Sequence, residues 1–374
     1  MTKIIYLDNN ATTLPSADML SEIALLSSSH YANPSSPYSM GEGARDVINN
    51  ARENVAKVFK CSPHEVIFTS GGTESNWIAL NNDPELGHLN ICPATEHPSV
   101  LNCCIEKVGV TRDGFVDLDQ VEMALKKHTT KFSGIIVSAM LANNETGVIS
   151  DPCGELPALC EKYSAGYHID GVQGFGKGGV SLSAAELGAS TISISGHKAH
   201  GLKGAGALYV REGTSLIPAF CGGSHEFGLR PGTENQLGIF SMGYVANNIM
   251  SDEYQKKISM VKAKRDRLES TLASLAEVNG SKEFRVENTT NLYFHSIPDV
   301  DLLMDGLYEE GVCVSGKSAC SSGMPTPSRV IQAMYGKEGD RASKSIRMSL
   351  SVDTTDEDID KAIDAIQCVV ADIS

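Results

Sequence analysis

Short apolar runs alternate with amphipathic helical patterns along most of the chain. From Ala44 to Phe59, apolar residues recur at spacings of three and four, which predicts a helix. The following run, 65–69, is rich in β-branched and aromatic residues and is typical of a strand. Similar runs lie at 89–92, 134–138, 167–169, 191–194 and 206–210. This alternation predicts an α/β fold with a mainly parallel sheet, in which ligands bind where the strands end.

The pattern changes near residue 252. Apolar residues from Tyr254 to Leu275 predict a long charged helix, and strand candidates follow at 291–294 and 346–350. Thr355 to Asp358 form a capping-box pattern that predicts the start of a final helix. We therefore predict a large domain of residues 15–255 and a smaller α+β domain made of residues 1–14 and 256–374.

Composition narrows the class of protein. Hydrophobic residues make up 41% of the 374 residues and charged residues 21%, which is typical of a soluble globular protein. No apolar run approaches the length of a membrane span and the start does not resemble a signal peptide, so we expect a cytoplasmic location without membrane contact. A net charge of −15 argues against nonspecific nucleic-acid binding. The ten cysteines form no Cys-x-x-Cys pair, so no metal site is expected.

Lys198 carries the strongest local signal for chemistry. Residues 193–201 predict a strand that runs into a turn of small residues and presents this lysine at the edge of the sheet. An amine held there can form an imine with an aldehyde cofactor if its surroundings favour the deprotonated nitrogen. The alternative for a single lysine is an ordinary solvent-exposed loop position.

Asp170 ends the predicted strand 167–169, about one βα unit before Lys198. An anionic partner would keep the nitrogen of a pyridine cofactor protonated, so that the ring accepts electrons. An isolated aspartate at this place is more often a turn former or a helix cap. The order of the two motifs favours the cofactor interpretation.

Three other strand ends carry polar residues. Gly72 and Thr73 open a predicted helix where backbone N–H groups and a hydroxyl can hold a phosphate, although glycines are common in such turns without a ligand. His97 could stack on a ring and move protons, or be an ordinary loop histidine. Asn144 could bind a substrate carboxylate, or simply form a turn.

In combination these motifs resemble one family, the cysteine desulfurases of the class V aminotransferase group, within the fold-type I enzymes that use pyridoxal 5'-phosphate (PLP). The resemblance covers nearly the whole chain. It is carried by segments 6–13, 33–36, 70–76, 96–98, 142–147, 170–173, 195–198, 232–235 and 318–323. It implies a large PLP-binding domain and a smaller domain that carries a catalytic-cysteine loop.

The resemblance also implies cofactor contacts. Lys198 would form a Schiff base with PLP, Asp170 would contact the pyridine nitrogen, and His97 would stack on the ring. Gln173 would contact the ring oxygen. The phosphate would be bound by Gly72, Thr73, Ser195 and His197. Thr233 would complete the phosphate site of the partner subunit, so the active unit would be a homodimer.

The same resemblance implies the substrate contacts and the sulfur acceptor. Asn144 and Arg347 would hold the carboxylate of L-cysteine, since a guanidinium gives paired hydrogen bonds. Cys320 lies among small polar residues, as an exposed loop requires, and would receive the sulfur as a persulfide. Lys317, three residues earlier, could favour the thiolate or merely solvate the loop.

The function predicted from the sequence is removal of sulfur from L-cysteine, which gives L-alanine and a Cys320 persulfide for an acceptor such as an iron-sulfur scaffold. The alternatives are a selenocysteine lyase, a cysteine sulfinate desulfinase or another class V aminotransferase, all of which share the PLP contacts. A catalytically inactive sulfur-trafficking scaffold is the non-enzyme alternative. Cys320 discriminates among the enzymes, and Lys198 argues against the scaffold.

Overall fold

The computed structural model describes residues 4–81, 87–316 and 326–374. Its strands are β1 (Ile5–Tyr6), β2 (Val66–Thr69), β3 (His88–Pro93), β4 (Glu106–Val108), β5 (Gly134–Ser138), β6 (Gly166–Asp170), β7 (Thr191–Ser195), β8 (Gly206–Val210), β9 (Ala276–Val278), β10 (Thr289–Phe294), β11 (Val312–Cys313), β12 (Ser315–Gly316) and β13 (Ser345–Ser349). Its α-helices are α1 (Ala17–Ser29), α2 (Ser39–Phe59), α3 (Gly72–Leu80), α4 (Pro98–Leu101), α5 (Leu118–His128), α6 (Leu156–Lys162), α7 (Ala184–Leu187), α8 (Gln236–Ile249), α9 (Asp252–Thr271), α10 (Val300–Glu309), α11 (Arg329–Tyr335) and α12 (Asp356–Ile373).

The central sheet has the strand order β2-β8-β7-β6-β5-β3-β4. Strands β3 to β7 pair in parallel, whereas β8 runs antiparallel to both of its neighbours, β7 and β2. Strand β2 therefore points in the same direction as the parallel set. The carboxyl ends of β2, β3, β5, β6 and β7 share one edge, which confirms the predicted α/β fold with a mainly parallel sheet.

Most predicted elements are present, with small changes at their ends. The predicted strands 134–138 and 206–210 match β5 and β8, and the final helix begins at a capping box in which Thr355 and Asp358 cap each other. The long predicted helix is shorter than its apolar pattern, because α9 ends at Thr271. Leu272 and Leu275 belong instead to a turn that leads into β9, where Leu272 is buried against the core.

The second sheet is antiparallel and has the order β12-β13-β10-β9. Apolar side chains of α9, α10 and α12 pack with β10 and β13 in a hydrophobic cluster that also contains Ile5 and Leu7 from the start of the chain. A separate, larger cluster surrounds the central sheet together with α2 and α8. The predicted domain boundary between residues 255 and 256 stays a prediction.

Buried ion pairs tie α9 to the turn that follows β5. Arg285 donates two hydrogen bonds, of 2.5 and 2.7 Å, to the carboxylate of Glu269 on α9, and both side chains are largely buried. Val286 N–H then donates to the carbonyl of Gly147, 2.9 Å away. Since a buried pair of this kind is costly to break, it holds the 142–147 turn in place.

No helix in the residues that the structure describes is long and apolar enough to cross a membrane. No group of three or more histidine, cysteine, aspartate or glutamate side chains within 4–81, 87–316 and 326–374 is arranged to hold a metal ion.

Candidate active site

A cavity of about 350 Å³ lies at the shared carboxyl edge of the central sheet. Because parallel strands end together there, side chains from distant segments converge on it. The predicted site residues that line it are Gly72, Thr73, His97, Asn144, Asp170, Gln173, Ser195, His197, Lys198 and Arg347. The structure thus brings together residues that span 275 positions of the sequence, from 72 to 347.

Lys198 lies in the tight turn that follows β7. Its Nζ donates to the backbone carbonyls of Asn10 and Ala11, at 2.7 and 2.8 Å. The same N-terminal segment is fastened to the turn, because Thr13 donates to the carbonyl of His197 from both its N–H and its hydroxyl, each at 2.9 Å. Backbone carbonyls therefore aim the amine into the cavity.

Asp170 is the last residue of β6 and is buried. One carboxylate oxygen accepts a hydrogen bond from Asn76 Nδ2 at 2.7 Å, and the other accepts one from the N–H of Val172 at 3.1 Å. Both donors hold the carboxylate in a fixed orientation at the cavity wall. A cationic ring nitrogen would find an oriented anion there.

His97 caps the short helix α4, and its Nδ1 accepts from the N–H of Ser99 at 3.2 Å. Burial lowers the pKa of His97 below its ordinary value, against the opposing effect of Asp170. The nearby cations Lys198 and Arg329 lower the pKa further. The imidazole is therefore neutral near pH 7 and can lie flat against an aromatic ring without a charge.

The part of the cavity wall where α3 begins and β7 ends is suited to an anion. The first turn of α3 begins at Gly72, where a Cβ would stand only 2.6 Å from Val172 Cγ2, so a glycine is needed for this close approach. A Cβ on Gly71 would lie 3.7 Å from Ser195 Oγ, which places the end of β7 beside the start of α3. Helix N–H groups and a serine hydroxyl together form a phosphate-binding arrangement.

His197 also lines the cavity. Burial is the main cause that lowers the pKa of His197 to about 4, and neighbouring lysines contribute. Its Nδ1 lies 3.1 Å from Thr12 Oγ1. A neutral imidazole at this place offers a hydrogen bond to a phosphate rather than a full positive charge.

Arg347 projects from the buried strand β13 into the cavity. Its guanidinium donates to the carbonyl of Asn144 at 2.9 Å and to Asp8 Oδ1 at 2.5 Å. Its Nε is buried and has no hydrogen-bond partner among the described residues. Asn144 lines the cavity and its backbone carbonyl orients Arg347, while its predicted contact with a substrate carboxylate stays a prediction.

Sequence reasoning missed Arg329, the first residue of α11, which also lines the cavity. Its guanidinium donates to the carbonyl of Glu96 at 2.8 Å. Asn76 lies within a motif that was recognised, yet it had no assigned role. No local pattern marks Arg329, because its place in the site depends on how α11 packs against the β3–α4 turn.

Two predicted site residues are not seen in this arrangement. Thr233 is exposed and does not line the cavity of its own chain. Cys320 lies outside the described residues, as does Lys317.

The residues of the cavity fit PLP. Gln173 Oε1 is buried and has no hydrogen-bond partner among the described residues, so this acceptor suits a donor group such as a ring hydroxyl. Asp170 suits the pyridine nitrogen, Lys198 the aldehyde, and the α3 end the phosphate. Each polar group of the cofactor has a complementary partner in the cavity.

Comparison with known proteins gives a consistent result. The model of the class V aminotransferase family matches residues 5–362. A protein of Trichormus variabilis named cysteine desulfurase 2 is 38% identical, over 98% of this chain and 93% of that protein. The X-ray structure of a NifS-like protein from Rickettsia africae has a TM-score of 0.88 at 31% identity, covering 98% of this chain and 99% of that chain. A structure described as SspA in complex with cysteine has a TM-score of 0.78 at 27% identity, covering 92% of this chain and 98% of that one.

Proposed function

The chain belongs to the class V aminotransferase family and is a PLP-dependent cysteine desulfurase; from this premise we propose how its own residues divide the work. The observation that carries the proposal is the convergence of Lys198, Asp170, Gln173 and Arg347 on one cavity of about 350 Å³. An amine, an anion, an amide and a guanidinium in this arrangement match the polar groups of PLP and of an amino acid substrate.

We assign the cofactor contacts by the position of each group. Lys198 binds the aldehyde carbon, Asp170 holds the ring nitrogen, and Gln173 holds the ring hydroxyl. The phosphate is held by Gly72, Thr73, Ser195 and His197. When bound, PLP supplies an electron sink that makes the α proton of the substrate acidic and weakens its carbon–sulfur bond.

The substrate lies between Arg347 and Lys198. Arg347 binds the carboxylate of L-cysteine, since it lines the cavity and a planar guanidinium can donate to both carboxylate oxygens. Lys198 takes the proton from the α carbon, because its Nζ is held at the cavity by two carbonyls. The substrate is thereby held at its carboxylate by Arg347 and at its α carbon by Lys198.

Cys320 receives the sulfur in this proposal. Its thiolate forms a bond to the substrate sulfur while the bond from that sulfur to the β carbon breaks, and the electron pair of the broken bond stays with the carbon skeleton. The β carbon takes up one proton and the α carbon regains the proton held by Lys198, which gives L-alanine, while Cys320 keeps the sulfur as a persulfide. The reaction needs no external oxidant, because the two electrons that the substrate sulfur gives up remain on the β carbon, which is reduced from a CH₂ to a CH₃ group.

We propose that the final sulfur acceptor is a separate molecule. A persulfide must pass its outer sulfur to a thiol or a metal-cluster scaffold, and an iron-sulfur scaffold is the acceptor we propose. Free thiols persist in the cytosol, which is the location that this chemistry favours.

The function can be tested directly with the purified holoenzyme. We expect L-cysteine, in the presence of a thiol reductant, to give alanine and sulfide in equal amounts without any added 2-oxo acid. An aminotransferase would instead require the 2-oxo acid and would form an amino acid from it. Turnover of selenocysteine or cysteine sulfinate without turnover of cysteine would support one of the alternative activities.

We propose that the active unit is a homodimer in which Thr233 reaches the phosphate site of the partner subunit. Its exposure and its absence from its own cavity support this role. A mixed dimer of a Thr233→Ala chain and a Lys198→Ala chain should contain one site with both residues intact. We expect this mixed dimer to regain cofactor binding at that site, measured as bound PLP per dimer and as alanine formed.

The Thr233→Ala homodimer should hold PLP more weakly, and Thr130→Ala, which changes another exposed threonine, serves as the matched control. If the mixed dimer has no competent site, Thr233 acts within its own chain and the cross-subunit assignment is wrong.

A further inference from the structure

A network of hydrogen-bonded side chains runs from the wall of the cavity to a buried histidine in the central sheet. His168, buried on β6, has Nδ1 at 2.8 Å from Thr191 Oγ1 and Nε2 at 3.1 Å from Asn76 Oδ1. Asn76 Nδ2 donates to Asp170 Oδ2 at 2.7 Å and to Ser99 Oγ at 2.9 Å. Ser99 Oγ lies 2.7 Å from His97 Nδ1. These hydrogen bonds therefore connect Asp170 with His97, two of the proposed cofactor contacts, through Asn76 and Ser99, which have no role in the mechanism above.

The direction of each hydrogen bond follows from the chemistry of Asp170. An ionised carboxylate only accepts, so the NH₂ group of Asn76 must face Asp170 and its carbonyl oxygen must face His168. His168 Nε2 consequently carries a proton and donates it to Asn76. Burial lowers the pKa of His168 to about 3, so its other nitrogen is unprotonated and accepts from Thr191.

His97 lies at the other end of these hydrogen bonds, beyond Ser99. Asn76 uses its second N–H on Ser99 Oγ, so the hydroxyl proton of Ser99 is available for His97 Nδ1. The backbone N–H of Ser99 also donates to this Nδ1, at 3.2 Å, and a backbone donor cannot reverse its direction. Two donors converge on one nitrogen, which must therefore be unprotonated.

We propose that Asn76 and Ser99 are positioning residues that hold His97 as the Nε2–H tautomer and fix its orientation relative to Asp170. This inference rests on the proposed function, because it concerns the histidine that faces the cofactor. His97 then presents an N–H donor from Nε2. Accepting a proton would require His97 Nδ1 to give up both of its donors.

The protonation of His97 decides which group can take the α proton of the substrate. The charged groups that face His97 are Asp170, Lys198 and Arg329, and burial is the dominant cause of its lowered pKa. A neutral imidazole whose unprotonated nitrogen, Nδ1, already accepts two hydrogen bonds is a poor proton acceptor. The α proton of the substrate must then go to Lys198, and His97 acts as a donor and a ring platform.

The test is nitrogen NMR of the holoenzyme labelled with ¹⁵N-histidine, recorded without substrate. His97 is assigned from the resonances that disappear in H97Q. We expect His97 Nε2 to show the shift of a protonated ring nitrogen and Nδ1 that of an unprotonated nitrogen which accepts hydrogen bonds. A proton found on Nδ1 of neutral His97 overturns the proposal.

Two variants test whether the hydrogen bonds from Asn76 through Ser99 set the tautomer of His97. S99A removes one donor, so we expect the Nδ1 resonance of His97 to move towards that of a bare imidazole nitrogen, with Nε2 unchanged. N76D replaces the NH₂ group by a carboxylate, which has no N–H to give and attracts the hydroxyl of Ser99. We expect N76D to move His97 Nδ1 in the same direction, and the double variant to move it no further than S99A alone.

T191V is the matched control, because it removes the hydroxyl that contacts His168, at the end of the hydrogen-bond network away from His97. It should change the resonances of His168 and leave those of His97 in place. An unchanged His97 Nδ1 in S99A overturns the proposal, and this readout survives even if N76D fails to fold. Additive shifts in the double variant contradict the transmission through Ser99.

Activity gives a second readout. For S99A we expect kcat to fall about five-fold with KM for cysteine unchanged, as for the loss of one hydrogen bond that acts in the reaction. Failure of the desulfurase function would appear as absent alanine in the wild type. Failure of this inference would appear in the ¹⁵N shifts of a protein that still turns over cysteine.

Discussion

Lys198→Ala should lose covalent attachment of PLP, and alanine formation from cysteine should fall by more than about 10²-fold, the lower bound expected for removal of a general base. The structure gives the reason, because the amine of Lys198 is aimed into the cavity by the carbonyls of Asn10 and Ala11. The measurement is the visible absorbance of the bound cofactor together with alanine production. Lys203→Ala, at an exposed position five residues further along the chain, is the matched control and should retain both.

Lys177 is the physical rival for attachment of the cofactor. It is buried, and burial, aided by the charge of Lys198, lowers its pKa to about 7, so its amine is readily deprotonated. However, it lines a cavity of only about 10 Å³, room for one water molecule at most. Its Nζ donates instead to the carbonyl of Asn9 at 3.3 Å.

Borohydride reduction followed by peptide mass spectrometry separates the two lysines. The reduced cofactor should be found on the peptide that contains Lys198. A modified Lys177 in the wild type would refute the assignment of Lys198.

The parts of the site that could be predicted are those in which a residue and its local turn coincide. Asp170 at the end of β6 and Lys198 after β7 follow apolar strands directly, and parallel strands bring such positions to one edge. The order of strands and the residue types were therefore enough to place them. The strand ends differ from prediction by only one or two residues because the apolar runs define the buried part of each strand.

Other residues could not be predicted because tertiary packing alone brings them to the site. Arg329 reaches the cavity from α11, and its hydrogen bond to the Glu96 carbonyl spans 233 positions of sequence. The carbonyls that orient Lys198 belong to the backbone, which carries no residue-specific signal. The link from Asn76 to Ser99 likewise depends on how α3 packs against α4.

Helix α9 shows the same limit. The apolar pattern from Tyr254 to Leu275 predicted a long charged helix, yet Arg265 on this helix is almost completely buried and donates to the carbonyl of Val286 at 2.8 Å. A buried arginine is indistinguishable from a solvated one in a hydrophobic pattern. Only its partners in the folded chain reveal the difference.

Cys320→Ser should bind PLP and cysteine normally but lose desulfuration. The described cofactor contacts come from other segments of the chain, so the absorbance of bound PLP and its change on addition of cysteine should persist. A serine hydroxyl is far less acidic than a thiol and cannot accept sulfur, so alanine and sulfide should both fall by about 10³-fold or more. Alanine analysis and mass spectrometry of the 318–323 peptide measure the two effects.

The matched controls are Cys153→Ser and Cys368→Ser, since both of these cysteines are exposed and lie outside the cavity. They should retain the persulfide on Cys320 and near wild-type alanine formation. A transaminase or a sulfinate-processing enzyme would tolerate Cys320→Ser, because neither reaction needs a protein thiol to accept sulfur. Near wild-type desulfuration by Cys320→Ser, or a sulfur adduct found only on another cysteine, would show that Cys320 is not the acceptor while leaving Lys198 and the PLP cavity untouched.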